Sequence, residues 1–173
     1  MPSFYGPVGG EESAASGNGA TARLTSQDVE LLIRQLNRSG VDGIILDLRK
    51  NGGGLLDEAV ALTGLFIDQG PVVQVRDNKG TVIQRTDDIP GVLYNGPLLV
   101  LVGRRSASAS EIVAGALQNY RRAIIVGEKS THGKGTVQAV VELGKFLARS
   151  DQPPPKAGAV KLTIQKFYLP NGH

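Results

Sequence analysis

The sequence predicts an α/β fold in which a mainly parallel sheet is covered by helices. Short runs of branched apolar residues alternate along the chain with segments whose apolar residues recur every three or four positions, the helical spacing. Strands and helices in such alternation form the βαβ units of parallel sheets. The length of 173 residues and the 40% of hydrophobic residues fit one domain, residues 1–173, with its own core.

The first two helices are predicted over residues 25–40 and 55–68. A Thr-Ser pair opens the first helix and a glycine closes it, with apolar residues at the helical spacing between them. The continuous apolar run at 43–48 is typical of a buried strand, and a glycine turn at 52–54 leads from it into the second helix.

A hairpin, a strand and a third helix follow. Residues 71–76 and 81–85 are predicted strands joined by the Asp-Asn-Lys-Gly turn at 77–80, and the apolar run at 97–102 is a further strand. The serine-rich segment after that strand starts a helix over about residues 109–120.

The last part of the chain contains three predicted strands. Residues 123–126 form a short apolar run of the buried type, 136–143 follow as a strand, and 159–168 alternate apolar and polar side chains. Residues 1–22, rich in glycine, serine and alanine, are predicted to be a mobile N-terminal segment, and 144–158, with three consecutive prolines, an exposed loop.

The composition excludes several functional classes. The chain has no cysteine and only His132 and His173, so neither thiolate chemistry nor a zinc site is expected. The net charge of +3 comes from scattered basic residues without interleaved aromatics, which argues against nucleic-acid binding. No apolar run approaches the ~18 residues that span a bilayer, and the N-terminus does not read as a signal peptide.

The chemistry is predicted to lie in the Ser-Ala-Ser-Ala-Ser-Glu segment at 106–111 and in Lys134, which stands between two glycines. A serine hydroxyl becomes a nucleophile when a base takes its proton, and an amine in an apolar site, which disfavours the charged form, is such a base. Ser108 lies where a strand turns into a helix, so the N–H of Ala109 can face an oxyanion. The turn at 52–54, at the end of another strand, offers a second N–H donor.

The same patterns also have simpler explanations. Small and hydroxyl residues at a helix start often only cap it, consecutive glycines often only form a tight turn, and a lysine between glycines is often a solvated charge. Glu111 in the first helical turn favours the helix dipole without any catalytic role. From these patterns alone, a domain with two glycine turns and no catalysis stays an alternative.

Several segments together resemble the C-terminal processing peptidases, also called tail-specific proteases, of serine peptidase family S41. They are 43–55 (Gly-Ile-Ile-Leu-Asp-Leu-Arg-Lys-Asn-Gly-Gly-Gly-Leu), 97–115 around the serines, 127–138 around Lys134, and 164–168, which is similar to a strand of the long, Prc-type bacterial members. The resemblance runs in order over about residues 25–170.

This resemblance implies a core of the ClpP/crotonase type that uses no metal or organic cofactor. It implies Ser108 as nucleophile, Lys134 as general base, Gln138 as the residue that orients the amine, and oxyanion donors at Gly53 and Ala109. The implied reaction is endoproteolysis of polypeptides at or near apolar C-terminal tails through an acyl-enzyme. The implied location of the parent protein is extracytoplasmic, in the bacterial periplasm.

Three features depart from the family pattern. The stretch from Ser108 to Lys134 is one residue longer than is usual, with the extra residue within 130–132. Asn119 stands where Prc-type members often carry an aspartate. The PDZ domain with which these peptidases bind substrate C-termini has no counterpart in these residues, so the chain is interpreted as a catalytic core whose isolated form can be inactive.

Two alternatives come from other functional classes. A non-catalytic ligand- or peptide-binding module on the same scaffold needs neither member of the serine–lysine pair, and the presence of both argues against it. An acyl-CoA enzyme of the crotonase group shares the oxyanion-hole layout but carries acidic residues near its glycine turns instead of that pair.

Overall fold

The computed structural model describes residues 1–6, 23–147 and 157–173. The α/β class is confirmed, and each predicted helix and strand has a counterpart. In chain order, the elements are α1 (Thr25–Arg38), β1 (Ile44–Asp47), α2 (Leu56–Gly64), β2 (Gly70–Arg76), β3 (Val82–Asp87), β4 (Leu98–Val102), α3 (Ala109–Asn119), β5 (Ile124–Gly127), β6 (Thr136–Glu142), α4 (Leu143–Leu147) and β7 (Ala159–Tyr168).

The strands form two sheets. β1, β4 and β5 form a parallel sheet with β4 in the centre, where Leu46 lies opposite Val100 and Val100 opposite Ile125. The other four strands form an antiparallel sheet in the order β3-β2-β7-β6. The parallel sheet and the β2–β3 hairpin follow the sequence prediction, whereas the antiparallel pairing of β7 with β2 and β6 is new, because register between distant strands leaves no local signal.

The core lies between the helices and one face of the parallel sheet. Leu46 and Val100 on that face belong to the same buried cluster as Ile112, Val113 and Leu117 of α3. Helix α2 packs against α3 and α1 packs against α2, so the helices form a layer over this face. Burying these side chains contributes about 1.5–3 kcal/mol for each large one.

The opposite face of the parallel sheet is uncovered in the described part of the chain. Ile45 is 66% exposed and Ile124 is 68% exposed, and the two are aligned across the sheet with Leu99 between them. The prediction of buried strands at 43–48 and 123–126 is therefore wrong for this face. Continuous apolar runs are typical of strands covered on both sides, and the sequence pattern does not show which side lacks a cover.

Three boundaries differ from the prediction. Helix α2 ends at Gly64, and the N–H groups of Leu65 and Phe66 then bond three residues back, as in a tightened final turn. In the segment predicted to be mobile, residues 1–6 are packed: Phe4 is buried and bridges Gly54, while residues 7–22 lie outside the described residues. In the predicted loop at 144–158, α4 covers the start and residues 148–156 lie outside the described part.

None of the described helices has the length and apolar character needed to cross a bilayer.

Candidate active site

Three loops meet at one edge of the parallel sheet because β1, β4 and β5 all end there. The glycine turn follows β1, the serine segment follows the central strand β4, and the loop that carries Lys134 follows β5. The segments singled out from the sequence are thus neighbours in space. This edge is where ligands bind in most open parallel sheets.

Ser108 is the N-cap of α3 and has a strained backbone. Its φ of 56° and ψ of −115° lie outside the regions that residues with a side chain ordinarily adopt. Strain of this kind persists where surrounding contacts impose it, and it is concentrated at functional sites.

The two neighbouring serines have structural partners. Ser106 Oγ donates to Leu48 O at 2.8 Å, and Ser110 Oγ donates to Asn51 O at 2.8 Å. Both side chains are fully buried, whereas Ser108 is partly exposed. Of the three serines in the segment, Ser108 is therefore the one that a substrate can reach.

Gly53 lies directly against residues 106–109, the turn between β4 and α3 that contains Ser108 (the serine turn). Its φ is +104°, and a Cβ built on it would lie 2.8 Å from Ser108 Cβ and 3.2 Å from Ala109 N. Glycine is required here both for the backbone conformation and for the close approach. The structure thus brings together the two residues predicted to supply oxyanion donors, Gly53 and Ala109.

Asn51 organises the glycine turn from inside. It is fully buried, its backbone carbonyl accepts from Ala107 N–H at 3.1 Å, and its side-chain Oδ1 accepts from Gly53 N–H at 2.9 Å. Because the Gly53 N–H already has an acceptor, an oxyanion would have to share or replace Asn51 Oδ1. Asn51 Nδ2 is buried without a partner among the described residues.

The loop that carries Lys134 is attached to the serine turn through the carboxylate of Glu111. Glu111 Oε2 accepts from the backbone N–H of Ser108 at 2.7 Å and of Lys134 at 3.0 Å. Its Oε1 accepts from Thr131 Oγ1 at 2.7 Å and from Gly133 N–H at 2.6 Å. Sequence reasoning assigned Glu111 only to the helix dipole, although the Ser-x-x-Glu spacing is the signature of a capping box.

The side chains of the predicted catalytic residues are less closely joined than their backbones. Lys134 is half-buried, and within the described residues no hydrogen bond joins its Nζ to Ser108 Oγ. Gln138 is exposed on β6, with its Nε2 3.5 Å from Thr163 Oγ1, and no hydrogen bond of the described chain joins it to Lys134. Catalytic hydrogen bonds are often long without substrate and tighten in the substrate complex.

Asn119, the residue that departs from the Prc-type pattern, has a local role. Its Nδ2 donates to Gly115 O at 2.8 Å, one turn earlier on α3. The side chain of Asn119 therefore bonds back to its own helix.

An open groove of about 360 Å³ adjoins Lys134 and Glu111. Most of its other walls are apolar, including Val102, Ala114, Ile125, Phe167 and Leu169. No cluster of three His, Cys, Asp or Glu side chains that could hold a metal ion occurs within the described ranges. The site thus combines a hydroxyl, an amine, backbone N–H groups and an apolar groove.

A family model described as peptidase family S41 matches residues 11–173. The chain belongs to this peptidase family. The tail-specific protease of Haemophilus influenzae is 50% identical over 147 residues, which are 85% of this chain and 21% of that protein. The carboxyl-terminal-processing protease of Picosynechococcus sp. is 38% identical over 141 residues, which are 82% of this chain and 31% of that protein.

The S41 fold is also found among solved structures. The photosystem II D1 C-terminal processing protease superposes with a TM-score of 0.69 at 32% identity, covering 92% of this chain and 41% of that one. The chain therefore spans less than half the length of each of these three relatives. Family and fold agree with the resemblance, and neither favours the non-catalytic alternative.

Proposed function

We propose that this S41 chain is the catalytic core of a serine endopeptidase that cleaves polypeptides at or near apolar C-terminal tails. The observation that carries the proposal is the position of Ser108. It is the accessible serine of its segment, lies at a helix N-terminus in a strained conformation, and is joined through Glu111 to the loop that carries Lys134. The named proteases among the relatives support the same conclusion.

In the proposed mechanism, Lys134 is the base. Its neutral amine takes the proton from Ser108 Oγ as the oxygen attacks the scissile carbonyl carbon, and the resulting ammonium then protonates the leaving amine. Water, deprotonated by the same amine, hydrolyses the acyl-enzyme and releases the serine. Gln138 is proposed to orient the amine once substrate has closed the site.

The oxyanion is proposed to bind at the N–H groups of Gly53 and Ala109, where it shares or replaces Asn51 Oδ1 as the acceptor of the Gly53 N–H. Their two turns are in contact, and Ala109 N–H lies at the N-terminus of α3, where the helix dipole favours negative charge. A single donor of this kind typically contributes about 3–4 kcal/mol to the transition state of acyl transfer.

The groove beside Lys134 is proposed to receive an apolar substrate side chain. Its walls at Val102, Ile125 and Phe167 would bury such a side chain at about 25 cal/mol per Å², whereas a charged side chain would lose hydration there. We further propose an extracytoplasmic location for the parent protein, because bacterial tail-specific and carboxy-terminal-processing proteases are its relatives.

The full-length protein that carries this chain is the material for the test. We expect Ser108→Ala and Lys134→Ala each to reduce cleavage of an apolar-tailed polypeptide by at least about 10³-fold. Lys129→Ala, an exposed lysine five positions earlier on the same loop, is the matched control and should retain activity. A fluorophosphonate should label Ser108, as located by peptide mass spectrometry. Undiminished cleavage by Ser108→Ala would remove the proposal.

A further inference from the structure

Glu111 places one carboxylate between the two halves of the site, and nothing in its position makes it a reacting group. The carboxylate accepts four hydrogen bonds. One comes from the N–H of Ser108 in the serine turn, and three come from the loop between β5 and β6 (the lysine loop), from Thr131, Gly133 and Lys134. All four donor–acceptor distances are short, between 2.6 and 3.0 Å. We propose that Glu111 is a positioning residue that aligns the base with the nucleophile, an inference that rests on the proposed Ser108/Lys134 function.

Few other hydrogen bonds hold the lysine loop against the serine segment at 106–111. Within residues 1–6, 23–147 and 157–173, the other hydrogen bond between residues 129–135 and the serine segment runs from His132 N–H to Ser106 O at 3.0 Å. That bond anchors the loop two residues before Ser108 and two residues before Lys134. Glu111 is the group that bonds to the backbone of Ser108 and of Lys134 themselves, through a single oxygen atom.

A carboxylate fits this place better than the amide of the same length. Both of its oxygens accept, and each here receives two donors. A glutamine has one accepting oxygen, so its NH₂ group would face two donors. In one orientation the Thr131 and Gly133 donors lose their acceptor, and in the other the Ser108 and Lys134 donors lose theirs.

The consequence concerns the chemical step. The lysine side chain is long and flexible, so the position of its backbone limits how often the amine reaches the serine hydroxyl. A displacement of about 1 Å in a reacting geometry typically costs about 10²-fold in rate. Glu111 also bonds to the N–H of Ser108, whose backbone is strained, and thereby holds the nucleophile's own conformation.

The experiment uses the full-length protein and an apolar-tailed polypeptide substrate, with Ser108→Ala and Lys134→Ala as the reference for the proposed function. We expect Glu111→Gln to lower kcat about 10²-fold with KM nearly unchanged, and the rate of fluorophosphonate labelling of Ser108 to fall in parallel. Thr131→Val removes one donor and leaves the other three, so we expect a fall of about 10-fold. Glu128→Gln is the matched control, because Glu128 is an exposed glutamate of the same region paired with Arg104 at 3.0 Å, and it should retain wild-type rates.

A double-mutant cycle separates positioning from a merely structural role. In the Lys134→Ala background, Glu111→Gln should slow the residual labelling of Ser108 much less than in the wild-type background, because the amine that it aligns is gone. An equal slowing in both backgrounds overturns the inference. If Glu111→Gln fails to fold, the Thr131→Val variant provides the test instead. A folded Thr131→Val variant whose rates equal those of Glu128→Gln would overturn the positioning role of Glu111.

The two proposals fail differently. Activity in Ser108→Ala removes the proposed function whatever Glu111 does. Inactive Ser108→Ala and Lys134→Ala, together with a Glu111→Gln variant as active as Glu128→Gln, leave the proposed function standing and remove the positioning role.

Discussion

The close contact between Gly53 and the serine turn explains why a glycine occupies this position after β1. A methyl group added to it would lie 2.8 Å from both Ala107 O and Ser108 Cβ, and its φ of +104° is strained for any other residue. Gly53→Ala must therefore displace the serine turn or the N–H groups proposed to bind the oxyanion. We expect kcat/KM of the full-length protein to fall at least about 10²-fold.

Gly52→Ala is the control for that substitution. Gly52 belongs to the same turn, but nothing lies within 4 Å of a Cβ built on it. Peptidase assays of the two variants side by side, with circular dichroism to verify folding, therefore compare one added methyl group at two adjacent positions. Equal activity of both variants would contradict the role given to Gly53.

Asp87, at the end of β3, is a buried carboxylate outside the candidate site. Burial raises its pKa, its Oδ2 has no partner among the described residues, and Asp88 and Asp68 add to the shift. Below the ordinary value of 3.8 the group is protonated in both states, and as the pH rises through the raised pKa the folded state loses stability relative to the unfolded one. We expect Asp87→Asn to be more stable than the wild type at pH 7.

That gain should disappear as the pH falls towards 3.8, because the wild-type carboxyl is then protonated as well. Urea unfolding at pH 7 and at pH 4 measures the difference. Asp42→Asn, an exposed aspartate remote in sequence, is the control with the same change of net charge. A gain that is the same at both pH values would mean that packing, and not the charge, is responsible.

The side chain of Arg122 connects separate elements of the fold. It joins the segment after α3 to the turn after α2 and to the segment before β4. Its Nε donates to Phe66 O at 2.9 Å, and one Nη donates to Tyr94 O at 2.6 Å and Gly96 O at 3.0 Å. The acceptors lie in the turn after α2 and in the segment before β4. Partial burial lowers the pKa of this guanidinium, and the three carbonyls accept from three of its N–H groups.

Arg122→Lys keeps the charge but not the fork of donors, so an ammonium cannot reach all three carbonyls. We expect a loss of about 2–3 kcal/mol in the free energy of unfolding, measured with urea. The neighbouring exposed Arg121 provides the control: Arg121→Lys should leave the stability unchanged. If both substitutions have the same small effect, the connection through Arg122 does not contribute to stability.

For the molecule as a whole, the sequence predicted the features that depend on local residue patterns, such as the bounds of strands. It did not predict the contacts between loops that are distant in sequence. β7 forms over Ala159–Tyr168, the predicted bounds, because its alternation of side chains is a local signal. The approach of Gly53 to Ser108 follows from two adjacent parallel strands ending at one edge. The bond from Ser108 N–H to Glu111 is a local signal in the Ser-x-x-Glu spacing, but the three donors from Thr131, Gly133 and Lys134 could not be predicted, because they come from a loop about 20 residues further along the chain.

The face of the parallel sheet that no described residue covers is the other feature that the sequence pattern did not show. Its exposed residues Ile45 and Ile124 lie in one row across the sheet, separated by Leu99. A contiguous apolar surface of this kind binds hydrophobic dyes. We expect the chain to increase the fluorescence of anilinonaphthalene sulfonate, and the double substitution Ile45→Thr/Ile124→Thr to remove most of that increase.

Threonine suits this experiment because it is β-branched and keeps the strand propensity of isoleucine, so the sheet should persist in far-UV circular dichroism. Ile89→Thr is the control, because Ile89 is 74% exposed but lies in the connection between β3 and β4 and belongs to no strand of the parallel sheet. Its dye binding should equal that of the wild type. If the double variant binds as much dye as the control while remaining folded, the bound dye lies elsewhere, for example on the exposed apolar residues Phe146 and Leu147 of α4.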